Sequence, residues 1–190
     1  MSSTRNTVIR SLHDVGLAAW FGGALMGAVG VNGATRSVAG PQDDLAVAAS
    51  GWARWSPVAA AAVGVHVIGG IGLVLANRGR IAGQSGVGAN TVVKTVVTGA
   101  AIASTVYSAI PGAHLAAAAE ADVPVEAATV PGPHTSDKVA RSQQQLRVLQ
   151  WVTPALTGAL IVLGAQQGEQ QKPAAIAKGV AAKTLRRARS

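Results

Sequence analysis

Four long apolar segments constrain this chain more than any other feature. They cover residues 12–31, 57–76, 91–110 and 148–165. A helix needs roughly 20 residues to cross about 30 Å of hydrocarbon, and each segment is close to that length. Charged residues make up only 13% of the sequence, about half the share of a soluble domain. The sequence therefore predicts an all-α membrane protein with a four-transmembrane-helix bundle.

Residues 1–166 form this predicted transmembrane domain, and residues 167–190 form a basic tail. The third segment is the most polar, because it carries Lys94 and several hydroxyl groups. In the long third loop, the alanine-rich first half and the residues after Asp137 are predicted to be helical. An alternative for the first segment is a cleaved secretory signal, which would leave three spans and an external N-terminus.

The distribution of positive charge predicts the orientation. Ten of the 16 Lys and Arg residues lie in the N-terminus, the second loop and the C-terminal tail, five lie in the first and third loops, and Lys94 is the last. The side richer in Lys and Arg faces the cytoplasm. We therefore expect both termini to be cytoplasmic and the protein to be a multi-pass protein of the inner (plasma) membrane.

The end of the chain is strongly basic and has apolar residues near one helical side. Such a segment is predicted to lie as an amphipathic tail on anionic lipid headgroups; a solvated tail that only enforces topology is the alternative. No nucleic-acid partner is expected, because the cations are not spread over a face with stacking aromatics. The predicted lipid-binding residues are Lys178, Lys183, Arg186, Arg187 and Arg189.

Small residues recur at four-residue spacing along the apolar segments. Membrane helices associate through close backbone approach at such residues. This pattern predicts a tight bundle whose small-residue faces also bind other membrane subunits or a second copy of the chain. The predicted helix-packing residues are Gly23, Gly27, Gly64, Gly72 and Gly99.

Three ionisable residues form the candidate intramembrane polar site. His66 falls near the middle of the second segment, where an ionisable group is costly and indicates a function. Lys94 and His13 lie at other depths and could assist it in a proton or cation pathway. The competing interpretations are a neutral His66 that is hydrogen-bonded to a facing helix and a Lys94 that snorkels to the interface.

A haem ligated by histidines is a further interpretation of His66. It requires two axial ligands at one depth, whereas His13 and His66 are expected to differ in depth by about 15 Å at 1.5 Å per residue. The chain has no cysteine, and no Ser/His/Asp, HExxH or paired-carboxylate pattern is present. We therefore predict no cofactor, no metal site and no enzymatic activity.

The segment RSLHDVGLAAWFGGALM resembles the opening helix of small bacterial membrane families related to copper-resistance D proteins. In those helices an Arg or His precedes a Trp-x-Gly-Gly element, matched here by Arg10, His13, Trp20, Gly22 and Gly23. The likeness covers one helix, and it implies a four-helix bacterial integral membrane protein. Copper transport is a further implication, but the methionine richness of copper handling is missing, since the chain has two Met.

The leading functional expectation is an accessory or scaffold subunit of a membrane assembly, because helix-packing signals are dense and no complete catalytic set is present. The alternative is a small transporter or proton-coupled carrier that uses His66. A membrane redox protein is the third interpretation.

Overall fold

The computed structural model describes residues 3–37, 43–83 and 86–169, with side chains from residue 7 onward. It contains four long helices: α1 (Ser3–Met26), α2 (Asp43–Gly83), α3 (Val87–Glu120) and α4 (Asp137–Glu169). After α1 the chain continues through a π-helical turn (Gly27–Val31) and two shorter helical turns up to Ser37. The predicted lipid-binding tail lies outside the described residues.

All four helices are long and apolar enough to cross a membrane. The all-helical prediction and the prediction of four helices with the length and apolar character of membrane spans are thereby confirmed, and the described part of the chain contains no β-strand. The predicted segments 57–76, 91–110 and 148–165 each lie inside one of these helices, whereas 12–31 covers the second part of α1 and the π-helical turn after it. The helical stretches predicted for the third loop are also present, because α3 continues to Glu120 and α4 begins at Asp137.

The four helices form a ring in which each helix contacts the next and α4 returns to α1. Neighbours run antiparallel, so α1 begins and α4 ends at the same end of the bundle, here called the terminal end. The opposite end is called the far end. A small core between the helices consists of Leu17, Trp20, Ala62, Ala101 and Leu160.

A second core lies at the far end. With 41 residues, α2 is about 60 Å long at 1.5 Å per residue, twice the hydrocarbon thickness. Its first turns extend past the predicted span and meet the extended ends of α3 and α4. Together with the loop at residues 121–136 they form a cap, whose buried residues are Leu45, Leu115, Ala118, Val125 and Val139.

One glutamine attaches the loop of this cap to α4. The Gln143 side chain is fully buried, and its Nε2 donates to the carbonyl oxygens of Ala127 at 2.9 Å and Val130 at 3.2 Å. These carbonyls lie in a tight turn, in which the backbone N–H of Val130 donates to Ala127 O. The carbonyls of Ala127 and Val130 also accept backbone N–H groups within the turn, so the Gln143 amide adds hydrogen bonds that join α4 to the loop.

We predict that Gln143→Leu destabilises the cap by about 1 kcal/mol, because the hydrogen bonds that join α4 to the loop are lost while the side-chain volume is kept. Limited proteolysis with a non-specific protease should then cleave within residues 121–136 much faster than in the wild type. Gln144→Leu is the matched control, since the neighbouring Gln144 is exposed. Equal cleavage rates in the two variants would show that Gln143 does not hold the loop.

Candidate ligand site

Glycines allow α1 and α2 to cross at very short distance. A Cβ atom at Gly69 would stand 2.5 Å from the backbone nitrogen of His13, and one at Gly16 would stand 2.6 Å from the backbone nitrogen of His66. Real Cβ atoms do not approach a backbone this closely, so both positions require glycine. At the crossing, the backbone of α1 at His13 lies close to Gly69 of α2, and the backbone of α2 at His66 lies close to Gly16 of α1.

The two histidines form a reciprocal pair at this crossing. His13 Nδ1 lies 2.9 Å from the carbonyl oxygen of His66, and His66 Nδ1 lies 2.9 Å from the carbonyl oxygen of His13. The rings are stacked, with centroids 3.9 Å apart and planes inclined by 18°. Both side chains are buried. Each histidine therefore joins its own helix to the other helix through a side-chain hydrogen bond.

The hydrogen bonds determine which ring nitrogen carries the proton. A carbonyl oxygen only accepts, so each Nδ1 must be the donor. In a neutral imidazole the other nitrogen, Nε2, is then an acceptor. The two Nε2 atoms are thus acceptors, and their rings are held in place through Nδ1, which is how proteins orient histidines that bind a ligand through the other nitrogen.

The expected depth difference between His13 and His66 is wrong. That expectation assumes that α1 enters the membrane near residue 12. In the structure α1 begins at Ser3, and His13 lies beside Gly69 of α2, so α1 is shifted along α2 relative to the expected position. Gly16 and Gly69 fix this register. The stacked arrangement also does not fit a haem between the two rings, because axial ligands approach the iron from opposite sides.

A cavity of about 720 Å³ lies beside the histidine pair, in the half of the bundle toward the terminal end. All four helices contribute to its wall. Its volume is within the range of pockets that bind small molecules. The polar and charged side chains that line it are Arg10, His13, Asp14, His66, Asn77, Arg80, Thr91, Lys94, Thr95, Thr98 and Gln167.

The inner core closes the cavity toward the far end. Leu17 and Leu160 line the cavity and belong to that core. Behind them Trp20 is 1% exposed, and its ring centroid lies 6.1 Å from that of His66. Trp20 Nε1 donates to Thr105 Oγ1 at 3.1 Å, which ties α1 to α3. In this structure Trp20 thus forms a plug between the cavity and the far end.

Lys94 is held inside the bundle. Its Nζ donates to Gln167 Oε1 on α4 at 3.2 Å, and the side chain lines the same cavity as His13 and His66. The structure therefore brings the three predicted polar residues to one site. Its hydrogen-bond partner on the neighbouring helix is a neutral amide, so this contact does not pair Lys94 with an opposite charge.

The charges that line the cavity have an excess of positive sign. Arg10, Arg80 and Lys94 are cationic, and Asp14 is the acidic side chain of the lining. At the bottom, the two imidazoles offer acceptor atoms. Electrostatically the cavity favours an anion, and chemically it offers both a charged donor and two acceptors.

The predicted helix-packing glycines have different environments. Gly23 and Gly27 lie under the rings of Trp55 and Trp52, and Gly72 faces the side chain of Ile9. At Gly64 and Gly99 a Cβ atom would meet no other atom within 4 Å. For these two, a role in helix packing stays a prediction about contacts outside a single chain.

Trp52 and Trp55 of α2 make helix contacts that were not predicted from the sequence. In the structure their rings pack against Gly23 and Gly27 of α1, where the missing side chain leaves room for them. Trp52 Nε1 also donates to Asn32 Oδ1, and Asn32 Nδ2 donates to Gln150 Oε1, each at 2.9 Å. Aromatic residues one turn apart, opposite glycines one turn apart, are the signal that predicts this fit.

Comparison with protein-family profiles, with curated proteins and with solved structures finds no match for this chain.

Proposed function

We propose that the protein is a small carrier of the inner membrane and that its substrate is an anion bound in the cavity beside the histidine pair. One observation carries this proposal: His13, His66 and Lys94, from three different helices, line one cavity. This geometry supports the carrier interpretation of the sequence over the scaffold interpretation.

The cost of the arrangement supports a role in binding. A lysine and two histidines at membrane depth are expensive and are normally retained for a ligand or ion pathway. A purely structural histidine would need one partner and no cavity. Here each imidazole is anchored through Nδ1 and borders open volume.

The excess of Lys and Arg at the N-terminus, the second loop and the tail supports an orientation with both termini in the cytoplasm. The cavity then opens toward the cytoplasm, and the plug at Trp20 separates it from the outer side. Transport requires that this plug moves while the anion stays beside Lys94. In this orientation the cap at the far end lies on the outer side of the membrane, and the anion reaches it once the plug has moved.

The test uses Lys94→Gln, which keeps a side chain able to bond to Gln167 and removes the charge. Wild-type proteoliposomes on a solid-supported membrane should give transient currents with at least one member of a panel of organic carboxylates and phosphates. Removing a charge-assisted hydrogen bond is expected to raise the half-saturating concentration roughly tenfold.

Lys94→Arg is the matched control, because it retains the charge and should retain most of the current. If the panel gives no current above protein-free liposomes, the carrier proposal is contradicted. The same holds if Lys94→Gln and the wild type respond equally.

The second candidate is an accessory subunit of a membrane assembly. The open surface at Gly64 and Gly99 favours it, because a partner helix can approach closely there. Purification in mild detergent followed by mass spectrometry should then recover a reproducible membrane partner that Gly64→Leu abolishes. A monomer without such a partner would contradict this role.

A further inference from the structure

We infer that the ligand of the cavity is a single-chain amphiphile with a phosphomonoester headgroup, which enters from the lipid phase. This inference rests on the proposed anion site and specifies its chemistry. The headgroup binds between Lys94 and the histidine pair, and the chain lies along the apolar wall of the cavity.

The headgroup follows from the atoms that the site presents. Lys94 Nζ is a charged donor and requires an anionic oxygen. The Nε2 atoms of the histidine pair are acceptors, because each Nδ1–H is donated to a carbonyl, and they require a hydroxyl group on the ligand. A fitting headgroup therefore carries an anionic oxygen and an O–H at the same time.

A phosphomonoester has both groups near neutral pH. Its second pKa is about 6, so the singly protonated form persists, and its charge at pH 7 is about −1.5 to −2. A carboxylate, a sulfate monoester and a phosphodiester are ionised without an O–H and so leave the imidazole acceptors without a donor. The charge of a phosphomonoester also suits a lining that contains Arg10, Arg80 and Lys94 against one Asp14.

The remainder of the wall requires an apolar ligand body. Between the charged groups the cavity is lined by aliphatic side chains from α2 and α4, among them Val67, Ile71, Val74, Leu75 and Ile161. Water-soluble phosphates would leave this surface unmatched. An alkyl or isoprenoid chain would bury it, at roughly 0.8 kcal/mol per CH₂ group.

Several of these aliphatic residues are also exposed. Ile71 is 58% exposed, Leu75 63% and Ile161 41%. They belong to helices that cross the membrane, so their outer surfaces contact lipid chains. The cavity wall is therefore continuous with the lipid-facing surface, which gives an apolar chain a lateral path into the site.

The experiment uses the full chain in maltoside micelles at pH 6, where about half of a phosphomonoester retains its O–H. Dodecyl phosphate is titrated, and the bound fraction is measured by native mass spectrometry. Dodecyl sulfate is the matched probe, since it has the same chain and a tetrahedral anionic headgroup without an O–H. Inorganic phosphate is the probe without a chain.

We expect one dodecyl phosphate per protein, with an affinity at least tenfold higher than that of dodecyl sulfate and at least a hundredfold higher than that of inorganic phosphate. Loss of a hydrogen bond corresponds to roughly tenfold in affinity. Equal affinity for the phosphate and sulfate amphiphiles would overturn the phosphomonoester assignment. Equal affinity for inorganic phosphate would overturn entry from the lipid phase.

The variant His66→Asn separates binding from folding. An asparagine amide nitrogen can replace Nδ1 as the donor to the carbonyl of His13, but it provides no group at the position of Nε2. We expect His66→Asn to weaken dodecyl phosphate roughly tenfold and to leave dodecyl sulfate within about twofold of wild type. His114→Asn, outside the cavity, is the control, and a nitrogen shift of His66 in labelled protein should accompany phosphate binding only.

The outcomes also distinguish this inference from the carrier proposal. Currents from soluble organic anions, with no preference for dodecyl phosphate, would overturn the ligand assignment and leave the carrier proposal standing. An absence of any anion response, with Lys94→Gln equal to wild type, would overturn both. An unchanged phosphate preference in His66→Asn would overturn the role of the histidine pair.

Discussion

Gly69→Ala should destabilise the bundle by about 3 kcal/mol, the upper part of the range for overpacking a fitted core. The added Cβ would stand 2.5 Å from the backbone nitrogen of His13 and 2.8 Å from its Cα. Backbone atoms cannot rotate away, so α1 and α2 must separate, and the hydrogen bonds of the histidine pair are lost with them. The unfolding temperature in detergent should fall by roughly 10 °C.

Gly64→Ala is the control for this experiment, because Gly64 lies in the same helix and has open space around it. Alanine is a better helix former than glycine, so this variant should be as stable as wild type or slightly more stable. A loss of stability at position 64 equal to that at position 69 would contradict the close crossing of α1 and α2.

His66→Ala should cost about 3 kcal/mol, because it removes a buried ring together with the hydrogen bond from its Nδ1 to the carbonyl of His13 on the other helix. The same reasoning applies to His13→Ala. The losses of unfolding free energy in the two variants should not add. Once one ring is removed, the other ring has lost its stacking partner, and the carbonyl that it donates to is no longer held in position. A double-mutant cycle should give a coupling energy of about 1–2 kcal/mol.

His66→Asn should recover a large part of that loss, since the amide restores the donor to His13. Chemical unfolding of the four proteins in the cycle, measured in one detergent, gives the coupling directly. Full additivity of the two alanine variants would contradict the reciprocal pair.

Hydropathy and length were enough to predict four spanning helices and the helical ends of the third loop. Apolar segments do not determine how far one helix slides along its neighbour, because any register buries similar lipid-like surface. The register depends on where two backbones can touch. Gly16 and Gly69 decide this point, and neither is distinguished by sequence from the many other glycines of the chain.

The residues of the candidate site were predicted from the sequence, but the way in which they pack together was not. The cost of ionisable groups in a membrane identified His66 and Lys94. The pairing of His66 with His13 depends on a side chain binding a carbonyl 53 positions away, and one sequence offers no direct signal for that. The Gln143 contacts of the cap were missed for the same reason, since a polar residue at the start of α4 resembles any solvated one.

The absence of cysteine from the natural sequence permits a direct measurement of the charge in the cavity. A single cysteine is placed at Thr91, which lines the cavity one turn from Lys94, and its reaction rates with an anionic and a cationic methanethiosulfonate reagent are compared. Ala113→Cys, on the exposed surface of α3, corrects for intrinsic reactivity. An anion site predicts a preference for the anionic reagent that is at least tenfold above the control and falls roughly tenfold in Lys94→Gln. Equal rates for the two reagents at position 91, unchanged by Lys94→Gln, would contradict an anion-binding cavity.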